Sequence, residues 1–180
     1  MTNPFANDHD AIGCEPLISL LKNKPQSVWL GLFHHMNWDC CEYAIYWMVT
    51  QPECCKELAA SVFGYSCPSN LYYGEYKDGD WEERGNLIPL KIIEKWSDGK
   101  YHQEDLQFNF DYFKIEVDGF IRDREKNGKS YPKLEIPEDL LNFKPGNKPI
   151  DLPKELDPRI NPEIWDLFHS LGTNAGSRPA

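Results

Sequence analysis

The sequence predicts an all-α protein: a compact multi-helix bundle with a long aromatic and acidic loop and a proline-rich C-terminal arm ending in a short helix. Three observations predict it. Apolar residues recur at helical spacing through the first half, and prolines and glycines punctuate those runs at short intervals. Large core-forming side chains are abundant, with six Trp, nine Tyr and nine Phe in 180 residues. That length suits one helical domain over residues 1–128, with residues 129–180 forming an arm and terminal helix packed on the same domain.

The elements follow in order. Pro16 suits a first helical turn, and Leu17, Ile18, Leu20 and Leu21 give an apolar face that Asn23-Lys24-Pro25 ends. Gln26 to Met36 carries Val28, Trp29, Leu32, Phe33 and Met36 on one helical stripe. Asn37-Trp38-Asp39 then reads as a structural junction. Asp39 would accept hydrogen bonds from the unpaired amides of the following helix, and Trp38 would staple the joint to the core. Cys40 to Gln51 is apolar enough to be a central, largely buried helix. Pro52 opens the next helix, where Cys55, Leu58, Ala59 and Val62 face inward and Gly64 fits a C-terminal cap. Short links between these four helices imply antiparallel neighbours.

Residues 65–85 break the pattern. Tyr65, Tyr72, Tyr73, Tyr76 and Trp81 are interleaved with Gly74, Gly79 and Gly85 and with Asp78, Asp80, Glu82 and Glu83. Long loops of this kind are often functional, and aromatic rings with acidic neighbours suit contact with a basic protein. Tyr72, Tyr73, Tyr76, Asp78, Asp80, Trp81, Glu82 and Glu83 are therefore the candidate partner-binding residues. The alternative is a loop folded back on the core through its rings.

Asn86 to Ser97 resumes helix, with Pro89 in its first turn, Ile92, Ile93 and Trp96 on one face, and Asp98-Gly99 as its stop. Glu104 to Lys126 fits one long helix through Leu106, Phe110, Phe113, Val117 and Phe120. It also fits two alternating strands; the helix is favoured, with Asp118-Gly119 as a turn signal that could split it. Pro132, Pro137, Pro145, Pro149, Pro153, Pro158 and Pro162 forbid one regular element beyond that point. An extended arm with a short helix at 138–143 follows. Asn161-Pro162 then starts a last helix with Ile164, Trp165, Phe168 and Leu171 inward, stopped by Gly172 before a mobile tail.

Composition narrows the function. A formal charge of −10 argues against nucleic acid as a direct ligand, because phosphate binding needs a basic surface; it suits a basic protein partner. No apolar run is long enough to span a bilayer, and residues 1–8 lack the basic and apolar segments of a signal peptide. A cytoplasmic location with no membrane contact is expected, and the six cysteines are then expected to be reduced. His34, His35, Cys40, Cys41, Cys54, Cys55 and Cys67 supply soft ligands, but without the paired spacing of structural zinc sites. No cofactor or metal is expected. A thiol nucleophile would need a neighbouring base, and His34, His35, His102 and His169 are available. No strand-to-helix elbow or phosphate-binding loop accompanies them. The carboxylates of Asp78, Asp80, Glu82, Glu83, Glu104 and Asp105 read as a solvated acidic face.

Asn37-Trp38-Asp39, then Ala44-Ile45, then Pro52, Cys54, Ala59 and Phe63 resemble the bacterial domain of unknown function DUF-4274. That family couples an Asn-Trp-Asp junction to a helix-Pro-x-Cys-helix unit. Leu90 to Tyr101, with Ile93, Gly99 and Tyr101, resembles its second block, so the likeness runs over roughly residues 26–110. Where the family continues its junction with an acidic residue and glycine, this chain has Cys40-Cys41. The resemblance implies a compact helical domain and brings no catalytic residues. Small acidic bacterial proteins of this kind are often inhibitors of secreted toxins. The expected function is accordingly that of a non-catalytic immunity protein in bacterial competition, occluding the basic active site of a cognate toxin. Two alternatives stand beside it: a small metal- or thiol-dependent enzyme using the His/Cys cluster, and a structural adaptor docking through the proline-rich arm.

Overall fold

Helices form where the apolar stripes run, and no strand forms among the described residues, which are 9–68, 71, 84–127 and 135–170 of the computed structural model. Their order is α1 (His9–Leu21), α2 (Gln26–Phe33), α3 (Trp38–Thr50), α4 (Lys56–Tyr65), α5 (Arg84–Ser97), α6 (Phe110–Asn127), α7 (Glu138–Leu141), a 3-10 turn at Lys154–Leu156, and α8 (Pro162–Ser170). The expected all-α class is what is found. The chain groups into two compact units, one of residues 1–48 and 150–180 and the other of residues 49–149.

In the first unit α1 packs on α8. Cys14, Leu17, Ile18 and Leu21 of α1 are buried, as are Ile164 and Phe168 of α8. Helix α1 begins well before Pro16, which lies inside it rather than at its start. The proline removes one backbone bond, and the buried stripe C-terminal to it keeps the helix going. Asn23, at φ 64°, turns the chain after α1. The Trp29 indole donates to the Leu21 carbonyl at 2.9 Å, so an unpaired carbonyl at the end of α1 is satisfied from α2. Trp29 also lies against Trp47 of α3, with ring centroids 5.1 Å apart. Gly31 admits the later segment closely: a Cβ there would meet Ile150 Cγ2 at 3.0 Å.

Several expected helix starts move, each for a local reason. Helix α3 begins at Trp38, and the Asn37 carbonyl accepts the Cys41 amide at 3.0 Å. Asn37 is therefore the N-cap, and Asp39 falls within the first turn. Pro52 is exposed in a turn and does not open α4. That helix starts at Lys56 behind an extended Cys55 (φ −88°, ψ 161°). The Lys56 amide is satisfied by the distant His102 carbonyl at 2.7 Å, so no proline is needed there. Pro89 lies inside α5, which starts at Arg84.

The second unit is centred on α4, which packs against α5 and α6. Leu58, Ala59, Val62 and Phe63 of α4, Ile88, Ile92 and Ile93 of α5, and Phe113 and Val117 of α6 are buried together. Gly64 is not a cap. It lies within α4, where a Cβ would come 3.0 Å from Phe113 Cα and 3.1 Å from its ring. Glycine is there because two helices approach closely. Gly64→Ala gains helix propensity but pushes on the α6 backbone, so a net loss of about 1 kcal/mol is expected in urea unfolding.

Helix α5 ends as anticipated at Asp98-Gly99. Gly99 adopts φ 64°, its amide donates to the Trp96 carbonyl at 3.0 Å, and the Lys100 amide donates to Lys95 at 2.9 Å. Of the 104–126 segment, only the part from Phe110 is helical, and Asp118-Gly119 does not interrupt it. Residues 104–109 are instead held by distant partners, including an isolated bridge from Leu106 to Lys148. The short helix expected at 138–143 is α7, ending at Leu141. Its Leu140 and Leu141 are buried. Phe143 meets Trp96 edge-on at 5.2 Å and stacks with Phe108 at 6.2 Å.

Candidate functional site

The expected partner-binding residues Tyr72, Tyr73, Tyr76, Asp78, Asp80, Trp81, Glu82 and Glu83 lie outside the described residues. So do Leu171, Gly172 and the tail after them. The junction residues are in view. Asn37 is exposed and Trp38 half-buried at the start of α3, Pro52 is exposed, and Cys54 is fully buried. The Cys54 thiol donates to the Cys55 carbonyl at 3.6 Å.

The sulfurs and imidazoles of the expected His/Cys cluster divide by unit. His34, His35 and Cys41 belong to the first, and Cys54, Cys55 and Cys67 to the second. Cys14, Cys41, Cys54, Cys55 and Cys67 are thiols. Among the described residues no three His, Cys, Asp or Glu side chains converge as metal ligands would. Burial pushes the Cys55 thiol up to about 12 and holds Cys54 well above the ordinary range. Both are protonated at neutral pH, the opposite of what a thiolate nucleophile requires.

Two charged constellations were not anticipated. The first surrounds Glu57, in the first turn of α4 and fully buried. Its carboxylate accepts the Asp105 amide at 2.7 Å and the Glu104 amide at 3.2 Å. Asp105 sits at φ 60°, and its own Oδ1 accepts the Asn147 amide at 3.0 Å. The Asp105 carbonyl accepts the Lys148 amide at 2.8 Å. A single buried acid thus pins the 104–105 turn, which in turn pins residues 146–148. Glu57 follows Lys56 and reads in the sequence as one of an ordinary pair of first-turn charges, so little there signals its role. Its oxygens are occupied by amides, so the constellation serves structure.

The second lies in the first unit. Arg159 Nε donates to Asp157 Oδ1 at 2.9 Å, and its Nη2 donates to Oδ2 at 2.6 Å. Asp157 is only 4% exposed, and the hydrogen bonds from Arg159 pull its carboxyl down to about 2. His35 is depressed by burial and then by the Arg159 charge, against the opposing pull of Asp157. Beside it His34 is lowered to about 4 by burial, with His35 adding to the shift.

As pH falls below 6.5 the unfolded chain takes up a proton on His34 that the folded chain refuses until about pH 4. Stability therefore drops through that window, by roughly 2–3 kcal/mol from His34, and this contribution levels off below it. Urea unfolding at pH 7 and pH 4.5, followed by tryptophan fluorescence, checks this. His34→Gln should make the profile shallower between those two values, with the contribution of His35 remaining.

Helix α8 departs from its expected packing. Ile164 and Phe168 are buried, but Trp165 is 50% exposed. The two inward residues fill the direction toward α1, and Trp165 lies about 100° round the helix from Ile164. It stacks on His169 instead, with centroids 3.8 Å apart. No helix among the described residues is long and apolar enough to cross a membrane. Comparison of the chain with protein-family models, with curated proteins and with solved structures finds no match.

Proposed function

We propose that this protein is a non-catalytic immunity protein, acting in the bacterial cytoplasm, that binds a cognate toxin and occludes its basic active site. The formal charge of −10 carries the reading, since an acidic surface attracts and orients a cationic partner. The protonation of Cys54 and Cys55 supports it by removing two thiols from the candidate chemistry. The resemblance of residues 26–110 to DUF-4274 supports a helical binding domain in the same way. The aromatic and acidic residues from Tyr72 to Glu83 are proposed contact residues under this reading. The test is co-purification with the product of the neighbouring gene, followed by rescue of cells expressing that product. A stable complex and restored growth are expected. The absence of both complex and rescue would overturn the proposal.

A further inference from the structure

The turn that leads into α8 joins an aspartate to a proline, and the two sides of that bond are held differently. Asp157 is extended (φ −81°, ψ 112°), and its carbonyl oxygen accepts two backbone amides, from Ile160 at 3.0 Å and Asn161 at 2.8 Å. Asn161 is itself fixed, since its Nδ2 donates to the Glu155 carbonyl at 2.6 Å. The Asp157 carbonyl is therefore polarised by donors that do not have to move. The side chain of the same residue is restrained. Its Oδ1 accepts the Arg159 amide and Nε, each at 2.9 Å, and its Oδ2 accepts Nη2 at 2.6 Å. Asp157 is buried, whereas the Arg159 side chain is 69% exposed. The hydrogen bonds from Arg159 keep the carboxyl ionised far into acid. The electrophile is ready and the nucleophile is tied.

We propose that the Asp157–Pro158 bond is a self-cleavage site of this chain, held latent by Arg159. An aspartate carboxylate can reach its own main-chain carbonyl carbon through a small, unstrained ring, so it can act as the nucleophile. One Oδ bonds to that carbon, and the bond to the Pro158 nitrogen breaks. The electron pair leaves on nitrogen, which takes a proton from solvent; the tertiary amide nitrogen of proline accepts it more readily than an ordinary peptide nitrogen. Water then opens the cyclic anhydride. The net change is hydrolysis of one bond, with Asp157 restored at a new C-terminus and Pro158 at a new N-terminus. The Ile160 and Asn161 amides stabilise the oxyanion formed on the way. Arg159 opposes the first step, because the attacking oxygen must give up charge-assisted hydrogen bonds to reach carbon. Scission frees residues 158–180, and with them the α8 side chains Ile164 and Phe168 that are buried in the first unit. The step needs no partner, so a failed toxin complex leaves it standing.

The test holds the full chain at pH 4.5, folded and in urea, and follows fragments 1–157 and 158–180 by intact-mass spectrometry. Circular dichroism establishes which samples are folded. The folded parent should cleave more slowly than the parent in urea. Folded Arg159→Ala should cleave about tenfold or more faster than the folded parent, and faster than the same variant in urea. Arg159→Lys, which keeps the charge but not the planar fork, should lie between the two folded proteins. A folded parent as labile as its urea sample overturns the proposal, as does the absence of these fragments from every sample. So does a folded Arg159→Ala no faster than the parent. Equal rates for Arg159→Ala folded and in urea would leave an ordinary acid-labile bond, and overturn the site. The same two fragments from Asp157→Ala would assign the cut to a contaminating protease and overturn it equally. If Arg159→Ala is unfolded at this pH, Arg159→Lys against the parent decides.

Discussion

Gly146→Ala is expected to destabilise the unit of residues 49–149 by at least about 3 kcal/mol, more than the same change at Gly31, Gly64 or Gly99. A Cβ at that position would fall well inside contact distance of the Asp105 carbonyl carbon, oxygen and Cα. Those are backbone atoms, so no side-chain rotation relieves the overlap. Nor can the turn slide away. The Gly146 amide donates to the Leu106 carbonyl at 2.8 Å, the Gln107 amide to Lys148 at 2.7 Å, and the Lys148 amide to Asp105 at 2.8 Å. Asp105 is already in the left-handed region at φ 60°, which leaves it little freedom to adjust. Urea unfolding checks the expectation, with Asn147→Ala as a companion that loses the side-chain hydrogen bond to Asp105 without adding volume. A Gly146→Ala protein within about 0.5 kcal/mol of the parent would show the turn to be far more pliant than its bonds suggest.

Replacing Glu57 by leucine is expected to cost about 2–3 kcal/mol, because it leaves two part-buried amides without their acceptor and not because a charge is lost. The Glu104 and Asp105 N–H groups have this carboxylate as acceptor. The acid also sits in the first turn of α4, where the helix dipole favours negative charge. Glu57→Gln keeps one oxygen acceptor and introduces two donors, so a smaller loss is expected. Amide exchange separates this account from simple repacking. In Glu57→Gln, residues 104 and 105 should exchange faster than the interior of α5, whereas uniform acceleration would point to a general weakening of the unit.

What could be read in advance follows from the range of the forces involved. The stripe of Leu58, Ala59 and Val62 and the Asp98-Gly99 stop are local patterns, and both appear in the fold as anticipated. Helix starts were harder, because proline tolerates several settings. Pro16 and Pro89 lie inside helices and Pro52 in a turn, and for Pro52 the distant His102 carbonyl, which takes the Lys56 amide, sets where the helix starts. Gly64 shows the same limit in packing: its small size serves Phe113, far away in sequence. At the candidate sites, Trp165 shares its stripe with Ile164 and Phe168 closely enough to read as interior, and only the tertiary packing turns it outward. Glu57 stands beside Lys56 and reads as an ordinary first-turn charge, and no periodicity links it to its partners at 104 and 105. The loop from Tyr72 to Glu83 lies outside the described residues.

One unit draws on residues 1–48 and on residues 150–180, with the whole 49–149 stretch between them in sequence. Translation must therefore deliver the other unit before α8 exists to cover α1. At about 5–20 residues per second, the nascent faces bearing Leu17 and Ile18 wait on the order of 7–30 s for their closing segment. During synthesis the first-made helices are thus the last to be sealed, and it is there that a ribosome-associated chaperone would find its longest opportunity.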